Sequence, residues 1–447
     1  EKKADLIEFG LEVINEYYLN NIHLISEEGF DEFMKTNVLA MLNIQKEVGD
    51  NYSKIFDDLE DDMHTLIMDY ILNDIEKIFY THMSPRRSYD KTFIRSKPNV
   101  ELMTQKIKHI RDKPQPEQRT EEWYKTRHNM ITASSAGDIF STQSTINRLI
   151  YDKCKPFTPM KGCAGGALGW GVKYEPVSVM FYENNYSLKV EDFGCIQHNH
   201  YSFIGASPDG IVVSPESYRY GRMLEIKNPI SRKINGNPKK GYWIQMQLQM
   251  EVCNLNECDF LETKFVEYEN EEQFNNDGTF CSTVDGQLKG IILQFKKNEE
   301  ETLYEYLPIY STEHEYEVFK NRMINKHGED NFVRDIYYKL DYYSCILVLR
   351  NKNWIKFAIP EISKIWDIIE KERISGYDHR APKKKKIVSQ PECLIDVSDM
   401  NTTQEGINDM FEDKNISVPK VENNSLSIFK IRTESFDESA KSMDETK

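Results

Sequence analysis

The sequence predicts an α+β protein, with an α/β core of strands and helices preceded by a helical N-terminal region. Three observations carry that expectation. Apolar residues recur three and four apart through the first hundred positions, strand-like runs alternate with helical ones from about 100 to 270, and further strands with one long helix follow.

In order, ADLIEFGLEVINEYYLN (4–20), FDEFMKTNVLAMLNIQ (30–45) and DDMHTLIMDYILNDIEKIFY (61–80) each put an apolar stripe on one helix face and acids on the others. They are expected to pack as a small bundle with a solvated acidic surface, within a region spanning 1–98. SPRRSYDKTFIRSKP (84–98) breaks the period with prolines and bases and reads as a linker. IGASPDGIVV, MLEIKNP and DFLETKFVEY are strand candidates in a core spanning 99–270. GIILQF, YEYLPIY and YYSCILVL follow as strands and IPEISKIWDIIEKER as a helix, so 271–378 either completes the sheet or forms an accessory region. HRAPKKKKIV (379–388) reads either as a nuclear address or as a basic hinge into a polar, acidic tail, ending at 447, whose composition predicts disorder.

A net charge of −16 argues at first against a nucleic-acid partner, because a phosphate backbone needs positive charge facing it. The distribution removes that objection. Residues 1–100 carry 20 acids and 11 bases, 388–447 carry 13 and 6, and the 40 acids and 40 bases left for the middle cancel. A neutral domain can hold a basic channel. The eight cysteines are scattered, which suits reduced thiols rather than disulfides. No run reaches the roughly 18 apolar residues of a membrane span, and EKKADLIEFG is not a secretory leader. A soluble, intracellular protein is expected, in the cytoplasm or the nucleus; the start at Glu1 rather than Met suggests that natural residues precede it.

Ser207-Pro208-Asp209-Gly210 is a turn signal, and in Met223-Leu224-Glu225-Ile226-Lys227 the strand period puts Glu225 and Lys227 on one face. Taken separately, these read as a plain turn and a surface ion pair. Joined by a hairpin they become a site. Two carboxylates meeting at a sheet end repel unless a cation lies between them, and oxygen ligands favour Mg²⁺ or Mn²⁺. Such an ion activates water and neutralises charge developing on a phosphate, while a neighbouring lysine stabilises the oxyanion. Asp, a gap and Glu-x-Lys form a minimal kit for phosphodiester hydrolysis.

Pro208-Asp209 followed by Glu225-Ile226-Lys227 resembles the PD-(D/E)xK nuclease superfamily. Three more segments narrow the match. EWYKTRHNMITASSAG (122–137), GWGVKYEP (169–176) and YWIQMQLQ (242–249) are similar to the Trp…Arg…Ile-Thr-Ala-Ser opening, the Gly-x-x-x-Glu helix and the glutamine-bearing helix of phage-lambda-type exonucleases and YqaJ-like viral recombinases. The likeness covers roughly 119–267, about a third of the chain.

The resemblance implies a restriction-endonuclease-like mixed sheet flanked by helices. It implies that Asp209, Glu225 and the Ile226 carbonyl hold Mg²⁺ (Mn²⁺ as substitute), with Glu175 lining the site and supporting a second ion. Lys227, assisted by Gln245, would position or activate the attacking water. Arg127, Ser134, Ser207 and Arg232 would hold the 5′-phosphate of a double-stranded DNA end; Arg232 stands one residue closer to its motif than in the lambda enzyme. The resemblance also implies action in viral recombination, repair or replication, with a single-strand annealing protein as a possible partner and an oligomeric ring as a precedent. An endonuclease of the same fold acting on DNA or RNA, and a non-catalytic replication scaffold, remain as alternatives.

Without the motifs, Glu175 reads as a helix-surface acid, Arg127 as an ion-pair partner and Ser134 as an N-cap. Trp123 and Trp170 read as core aromatics. Cys195, His198 and His200 suggest zinc only weakly, because no second ligand pair has suitable spacing, and an iron–sulfur cluster lacks its four clustered cysteines.

Overall fold

The apolar stripes of the N-terminal region fold as α1 (Lys2–Asn21), α2 (Phe30–Val48) and α3 (Asp61–His82), in a computed structural model that describes residues 2–48, 61–82, 97–158, 165–297 and 301–382. Tyr18 binds the three together: its ring packs on Phe30 and Phe79, and its hydroxyl shares a 2.6 Å hydrogen bond with Tyr80. Nearly all of the expected linker, the lysine run and the tail lie outside the described residues.

There follow α4 (Val100–Arg111), α5 (Glu121–His128), β1 (Ile131–Thr132), α6 (Ala133–Ala136), α7 (Gln143–Cys154) and α8 (Gly166–Tyr186). Next come β2 (Val190–Glu191), β3 (Ile196–Gln197), β4 (Ile204–Ala206), β5 (Gly210–Val212) and β6 (Met223–Lys227), then α9 (Lys240–Cys253) and β7 (Glu257–Glu267). The series ends with α10 (Glu271–Asn276), β8 (Lys289–Lys296), β9 (Thr302–Tyr306), α11 (Glu313–His327), β10 (Phe332–Leu349) and α12 (Lys352–Ser375). Among the described residues, seven strands form one sheet in the order β2-β5-β6-β7-β10-β8-β9, and β1-β4-β3 form a smaller one. In the larger sheet β6 and β7 run parallel across the α9 crossover, and the other pairs are antiparallel. The chain therefore has the expected α+β class, a mixed sheet flanked by helices. No helix among the described residues is long and apolar enough to cross a membrane.

Two local features position the site. α9 is the helix that the resemblance implies, although its alternating Gln and apolar residues alone also fit a strand; it is buried nearly all round, with Trp243, Met246, Gln247, Leu248, Gln249 and Met250 all covered. A helix covered on every side has no polar face to reveal its period. The Ser207–Gly210 turn does not close a hairpin: β4 belongs to the small sheet and β5 to the large one, so the chain changes sheets there. Gly210 serves close approach rather than a left-handed turn, since a Cβ on it would fall 2.2 Å from Val190 Cγ1.

Candidate active site

Strand register brings the two central acids together. β5 and β6 pair Ile211 with Met223 and Gly210 with Leu224, so the next opposed positions are Asp209 and Glu225. Opposed residues of an antiparallel pair share a face with Cα atoms about 4.5–5.5 Å apart. Asp209 Oδ2 accepts the Ile226 backbone N–H at 2.7 Å. Because the N–H and C=O of one strand residue point the same way, the Ile226 carbonyl faces that gap too.

Glu225 is 0% exposed, and both its oxygens are engaged. Oε1 takes the Lys227 ammonium and Oε2 accepts from Gln249 Nε2 at 2.7 Å. Burial works to lower the Lys227 pKa, but the Glu225 and Asp209 carboxylates outweigh it and hold the lysine charged. Burial, then Glu225 and Glu175, push the Asp209 carboxyl well above the usual carboxylate range. Glu175 reaches this field from α8, and its Oε1 accepts from Arg119 Nη2 at 2.9 Å. Burial raises the Glu175 carboxyl, while Arg119 and Lys227 oppose the rise.

The supports are specific. Asn228, directly after β6, accepts from Ser178 at 2.9 Å and Thr263 at 2.5 Å and donates to the Gly171 carbonyl at 3.3 Å, which fastens α8 to the sheet around Glu175. Gln118 donates to the Pro208 carbonyl at 3.1 Å, and Arg119 next to it sits at φ +67°, a left-handed conformation that costs a non-glycine residue roughly 1–2 kcal/mol.

A second cluster adjoins the first through Ser207, two residues before Asp209. Arg127 donates to Ser134 Oγ at 2.7 Å and Ser207 Oγ at 3.4 Å, and its guanidinium lies 4.2 Å from the Trp123 ring centre. The Trp123 indole also donates to Ser207 Oγ, at 3.0 Å, so this tryptophan belongs to the cluster rather than only to the core. Thr132, not Ser134, caps the four-residue α6, which leaves the Ser134 hydroxyl to Arg127. Arg127 and Ser134 line a cavity of about 630 Å³.

Not every expected residue joins these groups. Arg232 pairs with Glu262, a 0%-exposed residue of β7 in register with Lys227, rather than with the serines that Arg127 meets. Gln245 is half-buried, one turn before Gln249, and makes no hydrogen bond among the described residues, whereas Gln249 holds Glu225. Gln249, Glu262, Arg119 and Gln118 were not assigned roles from the sequence; only the Gln-rich helix carried any signal, and there Gln245 was the residue singled out. His198 Nδ1 accepts the N–H groups of His200 at 3.0 Å and Tyr201 at 3.1 Å, so the ring braces a turn.

A divalent cation suits the gap in kind: Asp209, Glu225 and the Ile226 carbonyl are hard oxygen donors, and the buried acceptors Gln249 Oε1 and Glu262 Oε2 lack hydrogen-bond partners. Among the described residues no three Asp, Glu, His or Cys side chains are gathered closely enough to hold a metal as they stand. Of these acids, Glu225 is paired with Lys227 and Glu175 with Arg119.

Residues 122–256 match the YqaJ-like viral recombinase domain. The match covers about 30% of the chain. The chain is also similar to an uncharacterized protein of Acanthamoeba polyphaga mimivirus, 31% identical over an alignment 332 positions long that covers 65% of this chain and 58% of the relative. It thus spans less than two thirds of that relative's length. An alkaline exonuclease from Laribacter hongkongensis is similar at 20% identity, over 57% of this chain and 94% of its own, with a TM-score of 0.34. A phage related exonuclease from Haemophilus somnus is similar at 12%, over 54% and 96%, with a TM-score of 0.30. Both are too distant to bear on the site. The YqaJ-like segment contains Arg127, Ser134, Glu175, Ser207, Asp209, Glu225, Lys227 and Gln249, and ends before Glu262.

Proposed function

We propose that this chain is a Mg²⁺-dependent deoxyribonuclease that digests double-stranded DNA from 5′-phosphorylated ends, in the 5′-to-3′ direction, during viral DNA recombination, repair or replication. One observation carries the reading: Ser207, held by Arg127, and Asp209, opposed to Glu225, stand two residues apart on one connection. Two residues of chain span at most about 7 Å, comparable with one nucleotide step, so a phosphate anchored at Ser207 leaves the next phosphodiester near the carboxylates.

Asp209, Glu225 and the Ile226 carbonyl are the residues to hold the cation, with Glu175 on the facing wall. When bound, the ion supplies Lewis-acid stabilisation of charge on the scissile phosphate. Gln249 keeps the Glu225 carboxylate oriented. Lys227, released from Glu225, donates to the attacking water and to the oxyanion, with Gln245 assisting from the same helix face as Gln249. Arg127, Ser134 and Ser207 grip the end phosphate.

Digestion of end-labelled duplexes tests this directly. Linear DNA with a 5′-phosphate should lose its 5′ label first, only with Mg²⁺, and faster than the 5′-hydroxyl form, while a closed circle survives and the Lys227→Ala variant is inert. Cleavage of the circle at an equal rate would make the chain an endonuclease instead.

A further inference from the structure

Behind the Arg127 cluster, α5, α7 and α12 bring together three cations whose hydrogen bonds go to neutral groups. Arg127 donates to two serine hydroxyls. Lys153 Nζ donates to the Arg127 carbonyl at 2.6 Å. Arg373 donates to the Lys153 carbonyl at 2.9 Å and the His128 carbonyl at 3.4 Å. The neighbouring acid, Asp152, pairs instead with Lys155 at 3.0 Å. Charge of one sign, gathered without a carboxylate in ion-pair contact, is costly and is relieved by a bound anion or by loss of a proton.

Arg127 and Lys153 both line the 630 Å³ cavity, together with Ser134, Thr132, Tyr124 and Phe157 and with the paired Asp152 and Lys155. A terminal phosphate monoester carries about −1.5 to −2 charges at neutral pH, more than Arg127 alone neutralises. We propose that Lys153 is the second cation holding the 5′-phosphate and that it sets the discrimination between phosphorylated and unphosphorylated ends. The inference rests on the end-phosphate reading given above.

Its consequence is a proton linked to binding. Burial, then Arg127 and Arg373, bring the Lys153 pKa down to about 7 in the free protein, with Cys195 and Asp152 weakly opposed; His128, also facing it, is itself lowered by burial. A bound phosphate dianion reverses the balance and recharges the lysine, so end binding takes up a proton and weakens as pH rises.

Fluorescence anisotropy in chelator, with 5′-phosphoryl and 5′-hydroxyl duplexes labelled at the far end, measures the preference between pH 6.5 and 8.5. The unaltered chain should favour the phosphorylated end, with the preference falling by up to about tenfold per pH unit above about 7. Lys153→Met should reduce the preference about tenfold or more, and Lys153→Arg should keep it and flatten its pH profile. A Lys153→Met protein with undiminished preference, or a Lys153→Arg protein with an unchanged pH slope, overturns the assignment of Lys153 alone. Should Lys153→Met fail to fold, the Lys153→Arg slope decides. An unaltered chain that ignores the 5′-phosphate at every pH overturns the end-phosphate reading and this one with it.

Discussion

On the two sides of the Ser207–Asp209 connection, charge is balanced in opposite ways. On the acidic side the chain answers its own carboxylates, with Lys227 on Glu225, Arg119 on Glu175 and the Ile226 N–H on Asp209. On the basic side Arg127, Lys153 and Arg373 meet hydroxyls, carbonyls and an indole ring. On the proposed reading the acidic side would hold the cation and the basic side the end phosphate, so recognition of the end and assembly of the hydrolytic centre would be separable, although the residues responsible are near neighbours.

Glu225→Gln should separate them most sharply. Turnover should fall about 10³-fold or more through loss of a cation donor, while the preference for a phosphorylated end, measured in chelator, stays unchanged. Loss of both together would mean that the two sides are one unit. Paired variants of α9 sharpen the acidic side further. Gln249→Leu frees Glu225 Oε2 and should weaken Mg²⁺ binding by about 10- to 100-fold, as removal of a group orienting a metal ligand does. Gln245→Leu should leave Mg²⁺ affinity alone and slow turnover, read as a kcat effect at saturating metal.

The smallest expected effect lies on the basic side and appears in stability. With its folded pKa near 7 and an ordinary value of 10.5, Lys153 binds fewer protons folded than unfolded between those limits. Stability therefore rises with pH across that window, and below pH 7 the buried charge costs its full amount. Denaturant titrations from pH 6.5 to 10 should show the unaltered chain gaining on Lys153→Met as pH rises. A constant difference would mean that Lys153 is solvated like a surface lysine.

What the sequence revealed follows from which signals are local. The helices α1 to α3 were legible because one face of each is apolar and the others acidic. β6 was legible because Leu224, Glu225, Ile226 and Lys227 alternate apolar with charged. α9 was not, because burial on all sides erases the helical period. The meeting of Asp209 and Glu225 across a hairpin was anticipated, and the antiparallel register of β5 and β6 opposes them, while the Ser207–Gly210 turn moves the chain between sheets. Glu262 with Arg232, and Lys153 with Arg127, depend on a parallel strand pair and on helix packing that no short window contains.

Isothermal titration of Mg²⁺ into the unaltered chain and its Asp209→Asn variant, with melting temperatures taken at each end point, asks whether these acids hold an ion. The unaltered chain should bind Mg²⁺ and melt higher with it than without it. The variant should bind none, and in chelator it should melt above the unaltered chain because a repelling carboxylate has gone. Equal Mg²⁺ binding by the two proteins would contradict a hydrolytic centre built on Asp209 and Glu225.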